Sequence, residues 1–289
     1  MQSRDLLGVA QLLTAAFTPT TDRASYTRQA PITDDLVYRW QAQCAGAWVV
    51  DATGFGPVGA AFAVVEPDAG WLAGIGVHPA YQRIGVGRTL IDKAVEFLDE
   101  SGCAVIGLEV SPSHGDVLGA YARRGFRPVD VTLRLRSGAA YLAMSGPPAP
   151  LHTAPFDSAA SASAEHDQVA KCALALPLSG SAFRAVGSGT NVICDLGIGL
   201  PGTALDIRTG FVDPDPGSIA AAFSGLAGIA VSRGLRHVEV DLAVGPGMAL
   251  ATLCEIGFQT VGTAIRMARP DSPYHARAGD RVRLGRWTL

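Results

Sequence analysis

Val77-His78-Pro79-Ala80-Tyr81-Gln82-Arg83-Ile84-Gly85-Val86-Gly87 decides how this chain is read. It leaves an apolar run, Trp71 to Val77, and enters a segment whose apolar residues Val86, Leu90, Ile91, Ala94, Val95, Phe97 and Leu98 recur at helical spacing until Ser101-Gly102. The turn therefore joins a mostly buried strand to an amphipathic helix. Gly85 and Gly87 lack a Cβ, so a ligand can approach the backbone, and the first N–H groups of a helix have no intrahelical acceptor. A pyrophosphate suits such a turn, with Arg83 and Arg88 adding positive charge on either side. By itself Gln-x-x-Gly-x-Gly also fits an ordinary tight turn. The absence of Gly-Lys-Ser/Thr excludes a P-loop, and the third glycine of a dinucleotide fingerprint is missing at the required spacing.

Working outward, a second apolar run covers Val105 to Val110, a helical segment covers Gly115 to Arg124, and Gly125-Phe126 leads into further strand-like residues. The order is strand, turn, helix, strand, helix, strand. Val-x-Pro-x-Tyr-Gln-Arg-x-Gly-x-Gly, followed by Leu118-x-x-Tyr121-x-x-x-Gly125-Phe126, resembles the GCN5-related N-acetyltransferase (GNAT) superfamily. The resemblance is close over about half of the first domain. It implies a mixed α/β fold, a central mixed and mostly antiparallel sheet flanked by helices, with acetyl-CoA as co-substrate in a splay between two parallel strands.

By that resemblance the splayed strands are Leu72 to Val77 and Val105 to Val110. Ile75 and Val77 would offer backbone groups to the pantetheine, and Gln82, Arg83, Ile84, Gly85, Val86, Gly87 and Arg88 would cradle the phosphates. Arg83 reads equally well as a solvated rim residue. Tyr121 stands where the family often places a tyrosine near the thioester sulfur, and a phenol there can protonate a leaving thiolate. The alternative is an aromatic that packs its helix on the sheet. An amine must lose a proton to become a nucleophile, and His78, Glu109, His114 and Asp116 are the local candidates to accept it, directly or through water. His78 reads as a solvent-facing loop residue. Glu109 lies near the end of its strand, where it either reaches the cleft or sits on the surface, and His114 takes a place where the family often has asparagine.

The 289 residues are 48% hydrophobic and 17% charged, enough apolar content for two ordinary domains. A formal net charge of −3 gives no electrostatic case for nucleic acid. Arg134-Leu135-Arg136 reads as solvated strand or rim charge. Cys44, Cys103, Cys172, Cys194 and Cys254 are odd in number and widely spaced, without metal-ligand spacing, so neither a disulfide framework nor a metal site is expected. With no signal-peptide profile at Met1-Gln2-Ser3-Arg4-Asp5 and no run of 18 apolar residues, no membrane association is expected and the cytoplasm is the predicted compartment.

A composition rich in Gly, Pro, Ser and Ala follows Tyr141, which predicts a first domain over 1–146, a linker over 147–164 and a second domain over 165–289. At an offset of 132 residues, taken as Gly257 minus Gly125, the second half repeats the first. Gly70 meets Gly202, Gly85 meets Gly217, Gly102 meets Gly234, Gly115 meets Gly247, Leu118 meets Leu250, Val129 meets Val261 and Arg134 meets Arg266. Strand-like runs match too: 59–65 with 191–197, 72–77 with 204–209, and 105–110 with 237–242. The expected fold is thus two tandem GNAT-like domains.

The copy is altered at the turn. Gln82-Arg83-Ile84-Gly85-Val86-Gly87 becomes Pro214-Asp215-Pro216-Gly217-Ser218-Ile219, with Asp213 just before it, and Tyr121 becomes Leu253. Proline donates no hydrogen bond and a carboxylate repels phosphate, so the second domain is expected to keep the fold without binding acetyl-CoA. Packing on the first domain, shaping the acceptor cleft or homo-oligomerisation would be its role.

The family begins with a strand, whereas Asp5 to Phe17 already reads as helix here. Either that strand is missing or the chain starts downstream of it. A second helix, capped by Thr33 or Asp34 and running to about Gln43, would border the acceptor. The sequence thus points to an acetyl-CoA-dependent N-acetyltransferase acting on a primary amine, of a small molecule first, by direct attack in a ternary complex. The alternatives are a protein amine as acceptor, or a non-catalytic acyl-CoA-binding or oligomerising protein.

Overall fold

The structure is a computed structural model that describes residues 1–17, 37–38, 41, 44–65, 69–112, 115–146, 148, 151–155, 183–187, 193–199, 203–244, 249–269 and 282–285. Most of the second predicted helix, and His114, lie outside these residues. The chain forms two compact units, and neither is a contiguous half.

The first unit contains Met1–Val129 together with Ile265 onward of a strand from the second half. Its chain opens on a 3-10 turn and helix α1 (Leu6–Phe17), as expected from the apolar spacing. Strands β1 (Gly46–Ala52), β2 (Gly56–Val65) and β3 (Ala69–Val77) form an antiparallel meander. Helix α2 (Val86–Glu100) then crosses over to β4 (Val105–Val110), parallel to β3, and helix α3 (Gly115–Ala122) follows. Helix α2 buries Leu90, Ile91, Ala94, Val95 and Leu98 in a core with Leu72, Ile106, Leu108, Tyr121 and Phe126. On the other face α1 buries Val9, Leu12 and Leu13 against Ala60 and Phe62, and an added Cβ at Gly76 would come within 2.5 Å of Leu13.

The second unit contains Asp130–Ala264 with the last described strand. After β5 (Arg127–Gly138) come helix α4 (Ala139–Met144), β6 (Leu151–Pro155), β7 (Phe183–Gly187), β8 (Ile193–Gly199) and β9 (Ala204–Val212). Helix α5 (Pro216–Ser232), β10 (His237–Ala243), helix α6 (Ala249–Glu255), β11 (Gln259–Arg269) and β12 (Val282–Gly285) complete it. The predicted repeat is present in element order. β8 pairs antiparallel with β9, and β9 pairs in parallel with β10 across α5, as β2, β3 and β4 do across α2. The 147–164 segment is not wholly linker, because β6 lies within it and pairs with β7.

The exchange of strands corrects the sequence-derived boundaries. β5 follows the first half of the sequence, yet from Asp130 it belongs to the second unit, where Thr132–Gly138 pair antiparallel with Ala243–His237. Reciprocally, Ile265–Arg269 of β11 pair antiparallel with Val110–Ile106 of β4 in the first unit. The same cross-strand ion pair marks both junctions. Arg266 lies opposite Glu109, with its Nε 2.9 Å from Oε1, and the two side chains are 3% and 6% exposed. Arg134 lies opposite Asp241 and donates to both carboxylate oxygens, at 3.0 and 3.1 Å. Arg136 donates to Glu239 beside it at 2.7 Å, so Arg134 and Arg136 are not solvated rim charges. Burial disfavours the Arg134 charge, but Asp241, Asp206 and Glu239 outweigh that and hold its pKa above the ordinary value.

A one-residue slip would carry Arg266 to the opposite face from Glu109, so the pair fixes register as well as contributing energy. Glu109→Ala, which removes this carboxylate from buried Arg266, is expected to cost about 3–5 kcal/mol in urea unfolding. The double variant Glu109→Leu/Arg266→Met is expected to recover most of that loss, because neither buried charge then remains.

Candidate functional site

The parallel ladder between β3 and β4 consists of Ala69 opposite Val105, Gly70 opposite Ile106, and Trp71 opposite Gly107. Two features end it there. The Trp71 ring lies over Gly107, where an added Cβ would stand 2.0 Å from the indole. On the other side of β3, Phe62 faces Gly74 while Ala63 faces Leu72, so Ala73 is an extra residue, a β-bulge that turns the strand. β3 and β4 continue to Val77 and Val110 beyond this ladder. Beyond Trp71 and Gly107 the two strands splay, with no further ladder pair between them.

The Val77–Gly87 turn stands at the C-terminal end of β3. A short 3-10 turn, Pro79–Tyr81, is capped by the His78 Nδ1 atom, which accepts from the Ala80 N–H at 3.3 Å. Gln82 donates from Nε2 to the Val77 carbonyl at 3.1 Å, folding the turn back on the strand. Arg83 has φ 66°, the one non-glycine positive φ among the described residues, and Gly85 has φ 104°. The left-handed backbone costs about 1–2 kcal/mol at a residue with a Cβ, and such outliers concentrate where ligands bind.

Gly85 is the N-cap of α2 and supplies no side-chain acceptor, so the first N–H groups of the helix face the turn without a cap. A Cβ at Gly87 would meet only Val77, at an ordinary 3.5 Å. Internal packing therefore does not require glycine at 87, although glycine costs a helix about 1 kcal/mol relative to alanine. Close approach of a ligand to the backbone does require it. Ile84 is 70% exposed, Gln82, Arg83 and Arg88 are exposed, and Ile75, Val77, Val86 and Gly87 are partly buried. This surface can take an extended, amide-bearing chain in the splay and an anion at the helix end.

Other sequence candidates fall differently. Glu109 is not on the surface; its side chain is buried and accepts from Arg266 on β11. Asp116, exposed, pairs with Arg83 at 3.2 Å. His78 packs edge to face on Phe55 and caps its own turn. His114 lies outside the described residues. Tyr121 is buried in the core of the unit, edge to face with Phe126 at 5.8 Å, and burial pushes its phenol up to about 12 against a smaller opposing effect of Arg124. Burial likewise raises the Cys44 thiol to about 12, and it raises Cys103 as well. Neither thiol is poised as a nucleophile. Among the described residues, no group of three or more His, Cys, Asp or Glu is placed to hold a metal ion, and no helix is long and apolar enough to cross a membrane.

Residues 8–126 match the model of the acetyltransferase (GNAT) family. Over this segment the chain is similar to the GNAT family. A [ribosomal protein bS18]-alanine N-acetyltransferase of Escherichia coli (strain K12) is 35% identical over 74 residues, 25% of this chain and 50% of that protein. The match thus spans half the length of the curated relative. Among solved structures, a GCN5-related N-acetyltransferase from Sphaerobacter thermophilus superposes with a TM-score of 0.59 at 15% identity over 93% of each chain. A tandem GNAT protein from the clavulanic acid biosynthesis pathway gives 0.62 at 17% identity, over 92% of this chain and 95% of that one. These two likenesses establish the fold and extend it across both units.

Sequence reasoning missed Arg266, Trp71 and Gly107. Arg134 and Arg266 were visible as partners in the repeat, and Glu109 and Asp241 stand at the same offset, but only the strand exchange brings each arginine to the other half's carboxylate.

Gly87→Ala is expected to leave the melting temperature unchanged or slightly higher, while weakening acetyl-CoA binding by calorimetry about tenfold or more. An unchanged affinity would mean that the turn holds no phosphate.

Proposed function

We propose that the first unit is an acetyl-CoA-dependent N-acetyltransferase whose splay, between β3 and β4, takes the pantetheine of the co-substrate. The observation that carries this reading is the helix α2 N-terminus, left without a side-chain cap beside a positive-φ turn. There the N–H groups of 85–88 would hold the pyrophosphate, with Arg83 and Arg88 adding charge at its rim. Acetyl-CoA supplies an activated acyl group as a thioester. Raised thiol pKa values at Cys44 and Cys103 favour direct attack by the acceptor amine over an acyl-cysteine.

Tyr121 would donate a hydrogen bond to the departing thiolate. With its pKa near 12 the phenol stays protonated across the working range, which suits donation rather than abstraction of a proton. Since Glu109 is engaged by Arg266, Asp116 by Arg83 and the His78 Nδ1 by the Ala80 N–H, His114 is the remaining nominee for accepting the amine proton. The second unit is read as non-binding. Its α5 N-terminus is capped by the Asp215 carboxylate, which accepts the Ser218 N–H at 2.8 Å and is held below its ordinary pKa by hydrogen bonding to Ser218.

For the acceptor, the Escherichia coli relative named as a ribosomal protein bS18-alanine N-acetyltransferase supports a protein amine beside the amine of a small molecule. Thiol release from acetyl-CoA, measured over a panel of small primary amines and peptides beginning with alanine, decides between them. Binding without turnover on any acceptor would favour the non-catalytic reading.

Tyr121→Phe is expected to lower kcat about 100-fold with KM for acetyl-CoA unchanged. Equal turnover would assign Tyr121 to packing. Because the folded-state pKa of Tyr121 lies above its unfolded value near 10, its contribution to stability is complete below pH 10 and is lost as pH rises towards about 12. Urea midpoints across that window should fall less in Tyr121→Phe than in the parent. In His114→Ala, the acid limb of kcat/KM should disappear if the imidazole is the base, and should persist if water alone carries the proton.

A further inference from the structure

The second unit has a splay of its own. β9 and β10 pair in parallel over Ala204–Ile207 against His237–Val240. On the far side of β9, Asp195 faces Thr209 and Leu196 faces Ile207, so Arg208 is an extra residue just where that ladder ends. The first unit uses the same arrangement, with its bulge at Ala73 two residues after the last rung. Strands that diverge inside a sheet leave backbone N–H and C=O groups without a ladder partner, and a buried sheet must satisfy them.

β12 enters this gap. Val282, Arg283, Leu284 and Gly285 run antiparallel to β9, opposite Val212, Phe211, Gly210 and Thr209, and Leu284 also lies opposite Leu242 of β10. Four strand residues extend roughly 13 Å, enough to line the divergent part of β9. At the mouth of the same splay, the Asp215 carboxylate occupies the N-terminus of α5 and Pro216 removes one of its N–H donors. An extended backbone between the strands and an anion at the helix end are the two features expected of a bound acyl-CoA. Here both come from the chain.

We propose that the second unit is a self-liganded copy of the acyl-CoA site, in which β12 stands in for pantetheine and Asp215 for a phosphate. The interaction surface is the β9–β10 splay, and its partner is the segment Val282–Gly285 of the same chain. One chain accordingly takes one acyl-CoA. That stoichiometry rests on the acetyl-CoA reading of the first unit, whereas the role of β12 does not.

Hydrogen exchange on the full chain tests the two parts separately. In the parent, amides of Gly210–Val212 and Leu242 should be protected without any ligand; free exchange there would overturn the proposal. Leu284→Pro, which removes a ladder N–H from the middle of β12, should speed exchange at those positions at least ~10-fold and leave β3 and β4 unchanged. Equal protection in variant and parent would show that β12 does not complete the splay. Should Leu284→Pro fail to fold, the parent with saturating CoA decides. One equivalent by calorimetry, with exchange slowed only along β3 and residues 82–88, supports the proposal, and a second equivalent or slowing at Gly210–Val212 overturns it. Absence of any CoA binding would defeat the reading of the first unit, while the protection of Gly210–Val212 would still judge β12.

Discussion

The Trp71 indole over Gly107 and the extra residue at Ala73 act on the same point of the sheet, the last rung between β3 and β4. A parallel ladder can continue only while both backbones keep the same twist, and a bulge increases the twist of one of them locally. The aromatic ring covers Gly107 at the last rung. The whole site depends on this divergence: the backbone of β3 is offered sideways, and α2 begins beside the resulting gap with its N-terminus uncapped. No catalytic side chain is needed to explain why a long ligand would bind there.

A second constraint governs which strand completes each unit. β4 and β10 are flanked by strands from the other half of the sequence, and in both cases an arginine on the incoming strand meets a carboxylate directly opposite. Buried ion pairs often yield little net stability, since desolvation offsets much of the attraction. Being common to both junctions, they fix register rather than choose the partner. β5 and β11 are similar enough to align in register, so each would make a plausible neighbour for either β4 or β10. Arg136 opposite Glu239 distinguishes the second junction, where the first presents Ala268 opposite Gly107.

The element order, the turn and the repeat were legible in the sequence because they rest on local patterns: apolar periodicity in α2, glycines at the turn, and matching runs at a fixed offset. The unit boundaries were not. Which half of the chain supplies the last strand is decided by contacts between residues far apart in sequence, such as Glu109 and Arg266, and no local pattern encodes that choice. For the same reason Glu109 looked available for proton transfer, and Arg134 and Arg136 looked solvated. Tyr121 illustrates a further limit. Its position four residues before Gly125 was readable, but its enclosure by the core comes from how α3 lies on the sheet. β12 was invisible because four residues carry too little periodicity to mark a strand.

The exchanged strands also set a timetable for synthesis. A ribosome finishes Val110 at the end of β4 long before it reaches Ile265, so one edge of β4 stays bare while more than half of the chain is made. At ordinary elongation rates that interval is on the order of ten seconds. An apolar strand edge exposed for so long is a template for wrong partners, and β5, emerging directly after the first half, is the nearest wrong partner. Arg136, which has Glu239 opposite it on β10 but would face Gly107 on β4, gives the nascent chain a means of rejecting an early, mismatched closure before the intended strand arrives.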